Sequence, residues 1–346
     1  MTNPTNQHLQ NLGSFGIPKQ GAKHQERQMA KNTSKTTRKR SASAKRDIQQ
    51  EVADKIIEML EAGTKPWEKP WQAGPVCLPL RANSLPYRGI NIVILWMSAN
   101  ANGYTSPYWM TYRQAAALGG QVRGGEKGTG IIKYGTYEKK DAGEEPTADS
   151  EEDTTRRYLR AYTVFNADQI DGLAESFYPK VAPIGELNQR IRVVDDWLTT
   201  VGATVVHGGD RACYLPAPDA IRMPEFNVFR DSELYYSTLQ HELIHWTRHP
   251  ERLNRDFGCK KWGDEGYALE ELVAEFGSCF LGAIFGFRPD HIDRHASYIA
   301  SWSKAIRNDK RFLFTACAHA QKAVDFLDPP MLDADDKFDQ ALPHAA

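Results

Sequence analysis

The chain has 346 residues, of which 41% are hydrophobic and 25% charged, the proportions of a globular protein with room for two domains. No stretch approaches the roughly twenty apolar residues of a membrane-spanning helix, and the first residues lack the apolar run of a secretory signal. Five scattered cysteines without a CxxC pair argue against a disulfide framework and a thiolate zinc site, so we expect a cytoplasmic protein with no membrane partner.

The net charge of −1 conceals an asymmetry along the chain. Residues 1–46 contain ten lysines and arginines but a single acidic residue, which leaves the rest of the chain strongly acidic. This segment is rich in Ser, Thr and Gln and has too few apolar residues to fold alone. We predict a disordered basic tail over 1–46, which either attracts a polyanion such as nucleic acid or only solubilises the chain.

Order is predicted to begin near Asp47, because apolar residues recur at helical spacing from Val52 to Leu60 and Gly63 then ends the helix. Two more helices are predicted in the first half of the chain, an apolar one within 83–100 and one from Thr111 to Gly119. A glycine-rich turn and strand follow at 121–135. An acidic loop at 138–153 then leads to a returning strand at 156–170.

The second half begins with a connector at 176–184 and an amphipathic helix within 186–202. Three short strands are predicted at 203–209, 212–216 and 219–224, followed by helices at about 232–248, 267–286, 293–307 and 309–327. The strand at 219–224, DAIRMP, is either an edge strand that pairs with an extended peptide or an ordinary internal strand.

These elements predict an α+β fold with two domains. Residues 47–175 would form a mixed α/β domain, and 185–330 a domain with a small sheet followed by helices, leaving 331–346 as a C-terminal tail. A metal motif on the first helix after such a sheet is the organisation that a zincin requires.

That motif is HELIH at 241–245. Because His241 and His245 are one helical turn apart, both imidazoles can reach one ion, and Glu242 can act as general base toward the water that zinc activates. His249 follows after one further turn and could compete as a ligand. It precedes Pro250 at the helix end, however, where a histidine is better explained by its interaction with the helix dipole.

A third ligand is expected from the helical segment at 268–280, ALEELVAEFGSCF, which carries Glu270, Glu271 and Glu275 on or near an apolar surface. Buried carboxylates are costly without a cation or hydrogen-bond partners. We predict Glu271 as the ligand and Glu275 as the acceptor that orients a ligand histidine, while Glu270 and Glu275 remain rival ligands. The predicted cofactor is Zn²⁺.

Aromatic and basic residues are interleaved throughout the first half of the chain. Bases of a single strand stack on aromatic rings while basic residues follow the phosphates, so this composition favours nucleic-acid binding. Trp96, within the apolar run INIVILWM, is predicted to lie in the core. The residues predicted to contact DNA are Trp67, Trp71, Arg88, Trp109, Arg113, Arg123 and Lys127.

Several longer strings resemble the ArdC-type antirestriction proteins of conjugative plasmids. KPWEKPW, YRGIN, SPYWMTYRQAAALGGQVRGGEKGTGIIKY and TVFNADQIDGL are similar to their N-terminal single-stranded-DNA-binding domain, which plasmid TraC-type primases also carry. YLPAPDAIRMPE, YYSTLQHELIHWTRHPERLNR and YALEELVAEFGSCFL are similar to their zincin-like metallopeptidase domain. The resemblance covers about 47–327.

The resemblance implies a protein that binds single-stranded DNA and protects incoming plasmid DNA from restriction. It also implies metal ligation by His241, His245 and Glu271 and a catalytic role for Glu242. Two alternatives remain. In one the zinc site is structural and DNA protection needs only the first domain, and in the other the chain is a zinc protease that acts on a host protein or peptide.

Overall fold

A computed structural model describes residues 47–67, 77–138, 155–178, 192–258, 264–287 and 296–330. The predictions for the two tails, for Trp71, for most of the acidic loop and for most of the connector therefore lie outside the described residues. Within these ranges, no helix has the length and apolar character needed to cross a membrane.

The first half alternates helices with short strands. It contains α1 (Ile48–Glu61), β1 (Leu80–Arg81), α2 (Ile90–Asn102), β2 (Tyr108–Met110), α3 (Tyr112–Ala117), β3 (Gln121–Val122), β4 (Thr129–Glu138), β5 (Thr155–Asn166) and β6 (Ile170–Asp171). The three predicted helices and the two long strands are confirmed. The short strands β1, β2, β3 and β6 were not predicted, since two or three residues are too few to show an alternating pattern.

Local capping explains where these helices start. The side chain of Asp47 accepts a hydrogen bond from the backbone N–H of Gln50 and so caps α1. At α3, Thr111 and Gln114 form a capping box, in which each side chain bonds the other residue's backbone N–H. These caps satisfy N–H groups that have no partner within the helix.

A four-stranded sheet has the order β1-β2-β5-β4, and β3 pairs separately with β6. Its longest pairing is antiparallel, between β4 and β5, and runs from Thr129 opposite Val164 to Glu138 opposite Thr155. Asn91 of α2 bonds the backbone of Ile132 in both directions, which fixes the base of this ribbon against the helix.

The second half contains a three-stranded sheet and five helices among its described residues. They are α4 (Arg192–Val201), β7 (Thr204–His207), β8 (Cys213–Leu215), β9 (Ala220–Met223), α5 (Ser232–Trp246), α6 (Glu265–Phe285), α7 (Ala296–Asn308) and α8 (Arg311–Leu327). The predicted strands and helices are confirmed within one to three residues at most of their ends, and α5 is the first α-helix after the sheet.

The sheet order β7-β9-β8 settles the position of the strand DAIRMP. This strand is β9, and it lies in the centre, with β7 parallel on one side and β8 antiparallel on the other. Both of its edges are already hydrogen-bonded, so the suggestion that it pairs with an extended peptide is wrong. Among the described strands, β8 is an edge strand that contacts the motif helix.

The two halves share hydrophobic contacts. Trp96 of α2, 2% exposed, lies 6.2 Å from Phe280 of α6 between ring centroids, which confirms its predicted place in the core. One continuous cluster of buried side chains includes residues of α1 and α2 together with residues of α5 to α8. The protein is thus an α+β protein of two domains that pack on a common core.

Candidate metal centre

The two histidines of the HELIH motif lie side by side on α5. This helix starts at a cap formed by Asp231, whose side chain accepts from the backbone N–H of Leu234. One helical turn separates His241 from His245, and their Nε2 atoms are 3.2 Å apart. Both side chains are largely buried.

The third candidate ligand comes from α6, which crosses α5 closely. Gly277 allows this approach, because a Cβ atom there would lie 2.6 Å from Cδ1 of Ile244. Two turns earlier on α6, an oxygen of Glu271 lies 3.7 Å from Nε2 of His241, and its other oxygen lies 3.6 Å from Nε2 of His245. The donor atoms of all three residues lie within 4.8 Å of one another.

This geometry suits a tetrahedral divalent ion. Ligand atoms held about 2.1 Å from such an ion are separated by roughly 3.4 Å, close to the three distances measured here. Two imidazoles and one carboxylate, with a fourth position left for water, form the donor set of hydrolytic zinc sites. His249 lies beyond the end of α5 and does not belong to the cluster.

Glu270 orients one of the histidines. Its Oε1 lies 3.1 Å from Nδ1 of His245, and both of its oxygens also accept hydrogen bonds from Arg255 at 2.7 Å. Burial alone would raise the pKa of Glu270, but these two partners lower it, so the carboxylate is ionised and Nδ1 of His245 donates. This contact leaves Nε2 of His245, on the side of Glu271, as the atom that would bind a metal ion.

The sequence predicted Glu275 as the acceptor that orients a ligand histidine. At His245 this position is taken by Glu270, and a role of Glu275 at His241 stays a prediction. Glu275 lies one turn beyond Glu271 and faces the first half of the chain. Its Oε1 is 3.2 Å from Nζ of Lys65 and 3.2 Å from Nε1 of Trp67. Glu275 follows Glu270 by five residues, which is not a whole number of helical turns. Its side chain therefore contacts the first domain, whereas that of Glu270 contacts His245 and Arg255.

The candidate general base, Glu242, is held by the edge of the sheet. Its Oε2 accepts the backbone N–H of Tyr214 in β8 at 2.8 Å. The Tyr214 hydroxyl donates to Asp219, which in turn pairs with Arg252 in the turns that follow α5. This chain of contacts ties strand β8 to the end of the motif helix.

The electrostatic environment of the centre favours positive charge. Burial by itself lowers the pKa of His241, but the contact with Glu271 and the negative charges of Glu242 and Glu275 raise it to about 9. Burial would raise the pKa of Glu271, yet the two histidines hold it at about 2. A site that retains a proton so strongly is one in which a cation is stabilised.

The residues predicted to contact DNA are distributed differently. Trp67 is fully buried against Phe276, and Trp109 is 1% exposed and packs against Tyr104, so neither ring can stack on a base. Their predicted DNA contacts are therefore wrong. Prolines and lysines flank Trp67 in the sequence and suggested exposure, but its apolar neighbours Phe276 and Trp302 come from distant segments.

The predicted basic residues lie at the surface. Arg88 forms an ion pair with Asp325, and Arg123 pairs with both Glu126 and Asp171. Both arginines are exposed in these ion pairs, so their contact with DNA stays a prediction. Arg113 and Lys127 are also exposed, and their contact with DNA remains a prediction.

Comparisons with known proteins agree with this geometry. One family model, described as the N-terminal domain of anti-restriction factor ArdC, matches residues 46–165, and another, a zincin-like metallopeptidase, matches residues 192–319. The metal-free crystal structure of the antirestriction ArdC protein from plasmid R388 has a TM-score of 0.69 and 44% sequence identity, and the alignment covers 82% of this chain and 97% of that one. The chain belongs to the ArdC antirestriction family. The resemblance inferred from the sequence is confirmed.

Other ArdC relatives extend the comparison. The Mn(II)-bound structure of the R388 protein has a TM-score of 0.67 and 41% identity over 87% of this chain and all of that one. The uncharacterized protein y4eC of Sinorhizobium fredii is 37% identical over 285 residues, or 80% of this chain and 90% of its own length. The Mn(II) ion of the R388 protein and the zincin-like family point to a divalent metal without selecting zinc.

A DNA primase, TraC of Escherichia coli, is 40% identical over 286 residues. The alignment covers 78% of this chain but only 26% of the primase. The ArdC-like chain therefore corresponds to about a quarter of that longer protein, and its primase activity is not carried over.

Proposed function

We propose that His241, His245 and Glu271 bind a divalent ion, with zinc as the first candidate. We also propose that Glu242 serves as general base for peptide hydrolysis at that ion. The observation that carries this proposal is the convergence of three donor atoms within 4.8 Å from two buried helices. A bound ion supplies Lewis acidity and makes water acidic enough to lose a proton near neutral pH.

The protein's own groups prepare this chemistry. Glu270 directs the Nε2 lone pair of His245 toward the ligand position. The N–H of Tyr214 fixes Oε2 of Glu242, and Oε1 is the oxygen left available to take a proton. His241 and Glu242 are adjacent on α5, so the same helix would position both a metal ligand and the general base.

Metal analysis of the purified protein tests the ligand assignment. We expect close to one equivalent of zinc or manganese for the unaltered protein and a large loss for His245→Ala, since one of three protein ligands is removed. Glu242→Gln is the matched control, because it alters the base and keeps the ligands. An unchanged metal content in His245→Ala would refute the site.

A second candidate, a metal with a purely structural role, is favoured by one contact. An extended substrate that pairs with edge strand β8 would need the outward N–H of Tyr214, but Glu242 already accepts it. If Glu242→Ala retains both metal and protection against restriction, catalysis is dispensable for protection. Loss of protection with unchanged metal content would favour hydrolysis of a protein or peptide.

We infer that the first domain binds single-stranded DNA and so protects incoming plasmid DNA. The similarity of residues 46–165 to the ArdC N-terminal domain and the similarity of the chain to a DNA primase support a nucleic-acid partner. Arg113 and Lys127 are exposed and suited to contact phosphates.

Salt dependence tests this second part of the function. Affinity for a labelled dT20 oligonucleotide should fall steeply as salt rises, because phosphate contacts release counterions. Arg113→Ala should weaken binding at low salt and reduce the salt slope. An affinity that stays constant from 50 to 300 mM salt would count against DNA binding.

A further inference from the structure

The burial of Trp67 and Trp109 leaves open which surface would receive the DNA. The β4–β5 ribbon offers one. Cross-strand partners project from the same side of an antiparallel pair, so its register places Lys133 opposite Arg160 and Gly135 opposite Tyr158 on one side, with Tyr162 two residues further along β5. We call the side formed by Lys133, Tyr158, Arg160 and Tyr162 the basic–aromatic face.

Contacts within the ribbon hold Tyr158 and Arg160 of this face in position before any DNA binds. The ring of Tyr158 lies directly on Gly135, because a Cβ atom there would be 2.3 Å from Cζ of the tyrosine. The guanidinium of Arg160 lies over the same ring, 4.9 Å from its centroid. This contact holds a planar cation in place, and such a plane is itself a stacking surface for bases.

The basic–aromatic face is also accessible. Tyr162 is 38% exposed, and Lys133 and Arg160 are exposed. Both charged side chains at the described positions of this face are positive. On the opposite side of the ribbon, Tyr134 bonds Gln49 of α1 and lies beside Leu159, and the described positions carry no charge.

We propose that single-stranded DNA lies along the basic–aromatic face, with bases stacked on Tyr162 and Arg160 and a phosphate near Lys133. This proposal rests on the DNA-binding function proposed above and names its surface. Alternate residues of β5 recur about every 6.8 Å, so an extended strand can meet successive stacking groups. A duplex keeps its bases paired and stacked, and would gain only the charge contacts.

The test measures binding of fluorescein-labelled dT20 to the full chain by anisotropy at low salt. Tyr162→Ala and Arg160→Ala should each weaken binding roughly tenfold, the size expected for one lost stacked base. Lys133→Ala should chiefly reduce the salt slope, by about 0.7. Arg160→Lys, which keeps the charge and loses the plane, should restore only part of the affinity.

Leu159→Ala and Tyr134→Ala, on the opposite side of the same ribbon, are the matched controls and should bind within about twofold of the unaltered protein. Circular dichroism melting would establish that all variants are folded. If the unaltered protein does not bind dT20, the proposed DNA function fails. If it binds, and the face variants bind as tightly as the controls, DNA binding stands and this surface is wrong. Equal affinity for a 20-base-pair duplex would overturn the stacking proposal.

Discussion

Glu270 is the clearest case of a single residue whose role depends on its neighbours. It accepts two hydrogen bonds from Arg255 and one from His245, so its negative charge is fixed in a buried position. Arg255 also donates to the backbone oxygen of Ile244 and to the hydroxyl of Thr247, which anchors it to the end of α5. The orientation of a candidate metal ligand thus depends on a group that does not touch the ion.

We therefore predict that Glu270→Gln lowers metal affinity by about 10- to 100-fold, the usual effect of removing an outer carboxylate from a ligand histidine. The amide carries no charge, and its single oxygen cannot accept all three hydrogen bonds that the two carboxylate oxygens accept from Arg255 and His245. Isothermal titration with Zn²⁺ or Mn²⁺ measures the change.

Glu265→Gln serves as the control, because it removes the same charge from an exposed position on the same helix. Its affinity should match that of the unaltered protein. Equal affinities for the Glu270 and Glu265 variants would show that His245 needs no orienting carboxylate.

At the scale of elements, α6 supplies carboxylates both to the metal centre and to the contact with the first domain. Glu270 and Glu271 face α5, whereas Glu275 contacts the segment that follows α1 through Lys65 and Trp67. The side chains of Lys65 and Glu275 are only 6% and 2% exposed. The helix that supplies the third ligand therefore also fixes the first domain.

Breaking this buried pair should destabilise the protein. We predict that Lys65→Met lowers the free energy of unfolding by about 3–5 kcal/mol, because it removes a buried cation that pairs with the buried Glu275 carboxylate. Urea unfolding, followed by circular dichroism, measures the loss.

The double variant Lys65→Met with Glu275→Leu removes both charges and should recover much of the stability. Arg307→Met is a matched control, since it breaks the exposed pair with Glu61 and should cost at most about 1 kcal/mol. Similar losses for Lys65→Met and Arg307→Met would contradict the importance of burial.

At the scale of the whole molecule, the shared core should couple the two domains. The cluster of buried side chains includes residues of α1, α2 and α4 to α8, and both Trp67 and Trp96 of the first domain pack on α6. Domains that share a core of this kind unfold together, whereas domains joined only by a linker unfold separately.

We predict a single calorimetric transition for the folded part of the chain. Excess zinc or manganese should raise its midpoint, because an ion that binds only the native state stabilises it by mass action, by about 2.7 kcal/mol at 100 times Kd. His245→Ala should keep the single transition and lose the metal-dependent shift. Two well-separated transitions, with only one sensitive to metal, would show that the domains are independent.

Features that depend on local spacing could be predicted from the sequence alone. One helical turn between His241 and His245 is enough to place both imidazoles on one face, whatever packs against that helix. The helices and the long strands of the ribbon likewise followed from periodicity and from their start and stop residues, as at Gly63. Longer strings were specific enough to indicate the ArdC family.

Features that depend on contacts between distant segments required the three-dimensional structure. Helical spacing allowed Glu270, Glu271 or Glu275 as ligand, and the crossing of α5 and α6 brought Glu271 to the histidines. Composition suggested that Trp67 was exposed, but its apolar partners Phe276 and Trp302 lie in the other half of the chain. Burial is set by packing partners, and a residue's neighbours in sequence do not reveal them.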